Sequence, residues 1–333
     1  MFRLMRFAFM FAAATSLLWG QATFGFAQRP VHTYSIVARD SITGQMGVAV
    51  QSHWFSVGSL VTFAEAGVGA VATQSFIDPA YGPLGLELMR SGKTAQEALK
   101  GLLAADAGLD VRQVAFVDAK GNVAVHTGAK AIEAAGHVTG RGFSVQANLM
   151  HKSTVPAAMA RAFENSKGDL AERMLAALES AQAEGGDIRG KQSAAILIVN
   201  AKSTGRPWAD KLFDLRVEDH PEPVQELRRL VHLARAYAHM NAGDEALTKN
   251  DVEGALREYS AAQKMVTDKQ TNGEMAFWHA VTLVGVNRFD EAVPLFRRAF
   301  TQDPLWRELI PRLPKAGALP DDAALIKRIV DIK

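Results

Sequence analysis

The chain has 333 residues, and its 37 lysines and arginines nearly balance 35 aspartates and glutamates, for a formal charge of +2. That balance lacks the basic footprint of a nucleic-acid binder, which excludes nucleic acid as a partner class. There is no cysteine, so neither disulfide bridges nor thiol chemistry are available, and the length calls for about two domains.

The N-terminus reads as a secretion signal over residues 1–27. Arg3 and Arg6 give a positive start, Phe7 to Trp19 is apolar, and Gly25-Phe26-Ala27 is a small-x-small cleavage site. The apolar run is shorter than the roughly 20 residues that a spanning helix needs. No later apolar stretch is long enough either. The expected product is periplasmic or secreted, with no membrane span once the signal is removed and a formal charge near zero.

From Thr33 the chain mixes strands, turns and helices. "TYSIVA", "QMGVAVQS", "GAVATQSF", "RQVAFVD", "GNVAVHTG" and "SAAILIVN" are short, β-branched and bounded by Gly, Asp or Asn, so they predict strands. "SITGQ" and "DAKGN" predict hairpin turns. Thr94 to Ala105 predicts a helix opened by a Thr94-x-x-Glu97 capping box. Val155 to Glu184 predicts two helices broken at "NSKGD", with Asp169 restarting the second. Strands in runs followed by helices in runs indicate an α+β fold.

After "EDHPEPV" only helical periodicity remains. "NDVEGALREYSAAQKM" and "NRFDEAVPLFRRAFTQDP" share one frame, in which Ala255, Tyr259 and Ala262 match Ala292, Phe296 and Ala299. The offset is close to the roughly 34-residue tetratricopeptide period once a small insertion at "DKQTNG" is allowed. Gly243 and Pro304 fall where that repeat places its Gly and its closing Pro. The expected division is a signal at 1–27, an α+β domain at 28–223 and an all-α tetratricopeptide-like domain at 224–333. So few repeats bury little surface alone, so they lean on the first domain or on a second copy of the chain.

Several motifs fail on context. Gly67-Val68-Gly69-Ala70-Val71-Ala72 fits a dinucleotide fingerprint, but β-like sequence follows where a helix must start; the glycines predict a tight turn. "SGKT" at Ser91 lacks the earlier glycine of a phosphate loop, because that position is Glu87. There is no H-E-x-x-H and no G-x-S-x-G. His232 and His239 lie two turns apart on a helix and read as surface or packing residues. No metal and no organic cofactor is expected.

Polar residues do stand where half-buried strands and turns do not need them: Thr33, Ser52, His53, Thr73, Gln74, Asp78, Asn148 and the run "GGDIRGKQSAA", with Asp187, Arg189 and Gln192. Taken singly, each has an ordinary explanation, such as a strand end at Ser52-His53 or a turn opener at Asp78-Pro79. Taken in order, "TYSIVARDSITGQMGVAVQS", "FSVG", "AGVGAVATQSFIDPAYGPLGLELM", "RQVAFVD", "GFSVQAN", "GGDIRGKQSAA" and "FDLRVEDHPEPVQELRRL" resemble the bacterial and archaeal family of unknown function numbered 1028, from about Thr33 to Leu230. The resemblance implies a four-layer αββα sandwich like that of N-terminal-nucleophile hydrolases. Some members carry a peptidoglycan-binding module, which suggests a cell-wall role.

In that fold the first residue of the mature chain is Thr, Ser or Cys. Its side chain attacks an amide carbonyl, and its own α-amine takes the proton. Thr33 opens the first strand, the matching place, yet signal cleavage after Ala27 leaves Gln28 to His32 ahead of it. A second cut at His32–Thr33, by self-cleavage or by a peptidase, is therefore required. On this reading Ser52 and His53 orient the nucleophile, and Asn148 or Gln74 donates to an oxyanion. Asp187, Arg189 and Gln192, with Asp78, contact the substrate, Arg189 suiting a carboxylate. Asp214, Arg216 and Asp219 equally suit a structural ion-pair network. The expected function is hydrolysis of an amide in a small peptide, acylated amino acid or wall fragment, with the repeats recruiting a protein partner or a second copy. The alternative is a non-catalytic binding module on the same fold. N-terminal sequencing separates the two, since a start at Gln28 favours the module or an enzyme with an internal nucleophile other than Thr33.

Overall fold

The computed structural model describes residues 31–333, so the expected signal at 1–27 lies outside the described residues. The first region runs β1 (Thr33–Arg39), β2 (Met46–Ser52), α1 (Gly58–Val61), β3 (Thr62–Glu65), β4 (Gly69–Ser75), α2 (Tyr81–Arg90), α3 (Ala95–Ala105), β5 (Arg112–Asp118) and β6 (Val123–Thr127). It continues through β7 (Gly136–Gly140), β8 (Phe143–Ala147), α4 (Val155–Asn165), α5 (Leu170–Ala183), β9 (Ser193–Val199) and β10 (Lys211–Val217). Then come α6 (Pro223–Thr248), α7 (Val252–Met265), α8 (Glu274–Gly285), α9 (Phe289–Gln302), α10 (Leu305–Leu309) and α11 (Ala323–Val330).

The strands form two antiparallel sheets, ordered β10-β9-β2-β1-β8-β7 and β3-β4-β5-β6. Side chains alternate across a strand. Tyr34, Ile36 and Ala38 of β1 therefore share a core with Met159, Leu175 and Leu178 of α4 and α5. Val37 faces the other way and joins Met46, Val48 and Val50 of β2 against Ala70, Ala72, Ala115 and Val117 of the smaller sheet. The outer face of that sheet carries Val71, Val114 and Phe116 beneath Leu86, Met89 and Leu99 of α2 and α3. The region is thus α+β, with two sheets packed face to face and helices outside each.

The expected turns join β1 to β2 and β5 to β6, α3 opens with the Thr94–Glu97 capping box, and Asp169 caps α5. Gly67 lies in the turn between β3 and β4, and Gly69 opens β4. Sequence patterning does not reveal α2, because Gly82, Pro83 and Gly85 are poor helix formers. They stand there because a Cβ at Gly82 would lie 2.3 Å from the Phe63 ring, and one at Gly85 2.4 Å from that of Phe116.

α6 belongs to both regions. Val224, Leu227 and Val231 complete the first core, whereas Ala236 and Met240 enter the helical core. The two cores therefore share one continuous helix. Arg228 pairs with Glu172 and Glu179, and Arg235 with Asp169 and Glu172, which fastens α6 to α5. Asp214 pairs with Lys211 and Arg216 on β10. In the helical region Ala255, Tyr259, Ala262, Ala292, Phe296 and Ala299 are all buried, so the residues of the shared frame are core residues. Among the described residues no helix is long and apolar enough to cross a membrane.

Candidate functional site

Between the sheets, the apolar layer gives way at one end to buried amides and hydroxyls. Ser35 and Gln146 are cross-strand partners on β1 and β8, and Gln74 and Gln113 on β4 and β5. Ser35 Oγ donates to Gln74 Oε1 at 2.6 Å and accepts from Gln146 Nε2 at 2.8 Å. Gln74 Nε2 donates to Gln113 Oε1 at 2.7 Å, as does Asn148 Nδ2 at 2.8 Å. Buried polar groups of this kind hold a fold together only when they satisfy one another, and this network ties one sheet to the other.

Thr33 lies beside the network and is fully buried. Its carbonyl accepts from Gln74 Nε2 and from the Asn148 N–H, both at 3.1 Å. Its hydroxyl donates to the Val31 carbonyl at 2.8 Å. Cross-strand pairing sets Thr33 opposite Ser52. Ser52 Oγ donates to the carbonyl of His32, and so does Arg189 Nη2, at 2.7 Å. The oxygen of the peptide bond ahead of Thr33 thus receives two donors, one of them a cation.

The loop after α5 supplies that cation. Asp187 is buried and takes Arg189 at 2.7 Å, with Nε also donating to its other oxygen at 3.1 Å. The same carboxylate accepts the backbone N–H of His53 at 3.1 Å, so the ends of β2 and α5 are joined at the site. His53 keeps its side chain exposed. His32 is buried, with Nδ1 2.7 Å from Asn148 Oδ1. Burial lowers its pKa below the usual imidazole value and the Arg189 charge adds to this, against the raising effect of the Asn148 bond. The His32 ring is therefore neutral at physiological pH.

Thr33, Ser52, Gln74, Asn148, Asp187 and Arg189 come together, with His53 joined through its backbone. Asp78 departs from expectation. It accepts the Ala80 N–H at the start of α2, and its carbonyl takes the Thr73 hydroxyl, because Thr73 projects from β4 on the face opposite Gln74. Gln192 accepts the His220 N–H through its backbone carbonyl. Arg189 is engaged by Asp187 and His32 rather than left open for a carboxylate. Sequence reasoning missed His32, Ser35, Gln113 and Gln146 as members of the site. The available signal was a glutamine next to the apolar run of "RQVAFVD" and the alternation of "FSVQA". It also missed Ser75, at φ +71° with a buried hydroxyl that has no protein partner. No group of three or more His, Asp or Glu able to hold a metal ion occurs among the described residues.

A profile described as a family of unknown function (DUF1028) matches residues 33–227. Among solved structures, the chain is similar to protein SPO2555 from Silicibacter pomeroyi, a crystal structure given the same family designation. The two are 30% identical with a TM-score of 0.56, and the match covers 62% of this chain and 89% of that one. No curated protein matches.

Proposed function

We propose, for a chain that belongs to the family of unknown function DUF1028, an amidohydrolase whose nucleophile is Thr33 after the His32–Thr33 bond is cut. The layered sheets then correspond to an N-terminal-nucleophile-hydrolase-like αββα sandwich. The helical region corresponds to tetratricopeptide-like repeats that take a protein partner or a second copy of the chain. The leader directs export to the periplasm or beyond, where small peptides, acylated amino acids and wall fragments are the available amides.

One observation carries the reading. The carbonyl of His32 is gripped by Ser52 Oγ and by the guanidinium of Arg189. Charge-assisted donors of this kind stabilise an oxygen that gains negative charge as a nucleophile adds to its carbon. In the cutting step Thr33 Oγ1 adds to the His32 carbonyl carbon, and its proton passes to the Thr33 nitrogen as the C–N bond breaks. Water then hydrolyses the resulting ester, leaving a His32 carboxylate and a free Thr33 amine. That amine titrates near pH 8 and can serve as the base for later turnovers. The same donors receive the carbonyl of each new substrate.

The test is N-terminal sequencing of the exported protein together with a panel of N-acyl amino acids, short peptides and muropeptides. We expect a start at Thr33 and hydrolysis that disappears in Thr33→Ala. A folded protein that keeps an intact His32–Thr33 bond and turns over none of the panel is a binding module, and the amidohydrolase reading is then wrong.

A further inference from the structure

We infer that the acyl side of this site is built for an extended peptide whose residue next to the broken bond carries a neutral hydrogen-bond-donating side chain, and that Val31-His32 is a built-in copy of that ligand. The inference rests on the Thr33 reading for its chemistry but on separate contacts for its specificity.

Val31 pairs with Ser75 in both directions: its N–H donates to the Ser75 carbonyl at 2.7 Å, and the Ser75 N–H donates to its carbonyl at 3.0 Å. The segment ahead of β1 thus crosses to the end of β4 in the opposite sheet, as a bound peptide adds to a strand edge. Ser75 holds this edge at φ +71°, a strained value for a residue with a side chain. A single acyl group in place of Val31 keeps the carbonyl and loses the N–H, so one of the two bonds requires a peptide.

The neighbouring position reads the side chain. Gln113 Nε2 donates to the Ala147 carbonyl at 3.0 Å, and a carbonyl only accepts, so Gln113 Oε1 must face Asn148. Asn148 Nδ2 donates to that oxygen, which leaves Asn148 Oδ1 facing His32. The ring of His32 must therefore carry its proton on Nδ1, and any residue in its place must also donate. Phe76 packs against the ring in a T-shaped arrangement, with centroids 6.5 Å apart, and gives that position an apolar wall. A glutamate or aspartate would set its carboxylate against an amide oxygen that cannot turn without breaking the network. The reaction itself is ordinary hydrolysis: Thr33 Oγ1 adds to the peptide carbonyl, the leaving amine takes the proton, and water releases the acyl peptide as a carboxylate.

The experiment compares acetyl-Val-His, acetyl-Val-Gln, acetyl-Val-Glu and acetyl-His, each as an amide of a fluorogenic amine, using the protein expressed full length and purified after export. We expect kcat/KM for the first two to exceed that for the last two by at least tenfold, and no hydrolysis by Thr33→Ala. Thr33-dependent hydrolysis with equal rates, or with glutamate preferred, overturns the inference and leaves the Thr33 reading standing. Binding of acetyl-Val-His amide by calorimetry without turnover does the reverse. Neither binding nor turnover overturns both. A second arm reads the segment in place: we expect His32→Glu to cut before Thr33 at least tenfold more slowly than His32→Gln. Equal cutting in the two variants counts against the donor requirement.

Discussion

Arg189 reaches across 157 residues of chain to donate to the carbonyl oxygen of His32 at 2.7 Å, while the buried carboxylate of Asp187 holds its guanidinium from the other side. The ion pair aims the cation at the bond ahead of Thr33. Removing one donor from an oxyanion site typically costs roughly 10²–10³ in rate. We therefore expect Arg189→Ala to slow both the cut at His32–Thr33 and later turnover by that order. Arg189→Lys should recover only part of it, since a lysine lacks the planar fork that contacts Asp187 and His32 together. Intact mass measured over time follows the uncut chain; an unchanged rate would remove Arg189 from the mechanism.

Gly243 on α6 faces the ring of Tyr259 on α7, and a Cβ there would lie 2.4 Å from Cε1. The ring cannot step aside freely, because its hydroxyl donates to Asp244 at 2.6 Å. Overpacking of this kind costs about 1–3 kcal/mol, partly offset by the helix propensity that alanine gains. Gly243→Ala should lower the thermal midpoint by several degrees. Gly101→Ala, where a Cβ meets nothing within 4 Å, serves as the control and should not lower it.

His279, at 8% exposure, is buried in the helical core, and burial pulls its pKa down to about 4, with Arg288 and Arg298 adding to the effect. The unfolded chain protonates this ring near 6.5. The unfolded state therefore binds the proton first as pH falls. Stability from this residue is fully present above pH 6.5 and is lost between 6.5 and 4, by roughly 2–3 kcal/mol from pH 7 to 4.5. Urea unfolding of wild type and His279→Gln at both pH values checks this. The variant, which keeps a hydrogen-bonding group opposite Gln263, should lose less stability on acidification. Parallel losses would mean that other groups set the slope.

Gln51 is fully buried opposite Tyr34, and neither atom of its amide has a protein partner. Leaving such a group unpaired costs about 1–3 kcal/mol. Gln51→Leu should therefore raise the denaturation midpoint. A lower midpoint would show that ordered water or a ligand satisfies the amide in the native protein.

The buried strands were legible wherever β-branched runs met turn residues, as in β1, β2, β4, β5, β6 and β9. β7, β8 and β10 were not, because their residues alternate with Gly, Ser, Thr or charges, and what makes them strands is the neighbour each pairs with. Six of the residues singled out by sequence do meet at one end of the intersheet layer. Asp78 does not, because a one-residue change of position on β4 moves Thr73 and its partner to the opposite face of the sheet from Gln74.

The sequence alone determined six of the strands, the caps at Thr94 and Asp169, the apolar positions of the C-terminal helices and the presence of polar residues in apolar strands, since each depends on local periodicity and turn chemistry. Only the tertiary structure decided that Val31 pairs with Ser75, that Arg189 and Ser52 share the His32 carbonyl, and that α6 is common to both cores. Those contacts join residues far apart in the chain. They form because burying both faces of two sheets forces the few polar groups left between them to find one another.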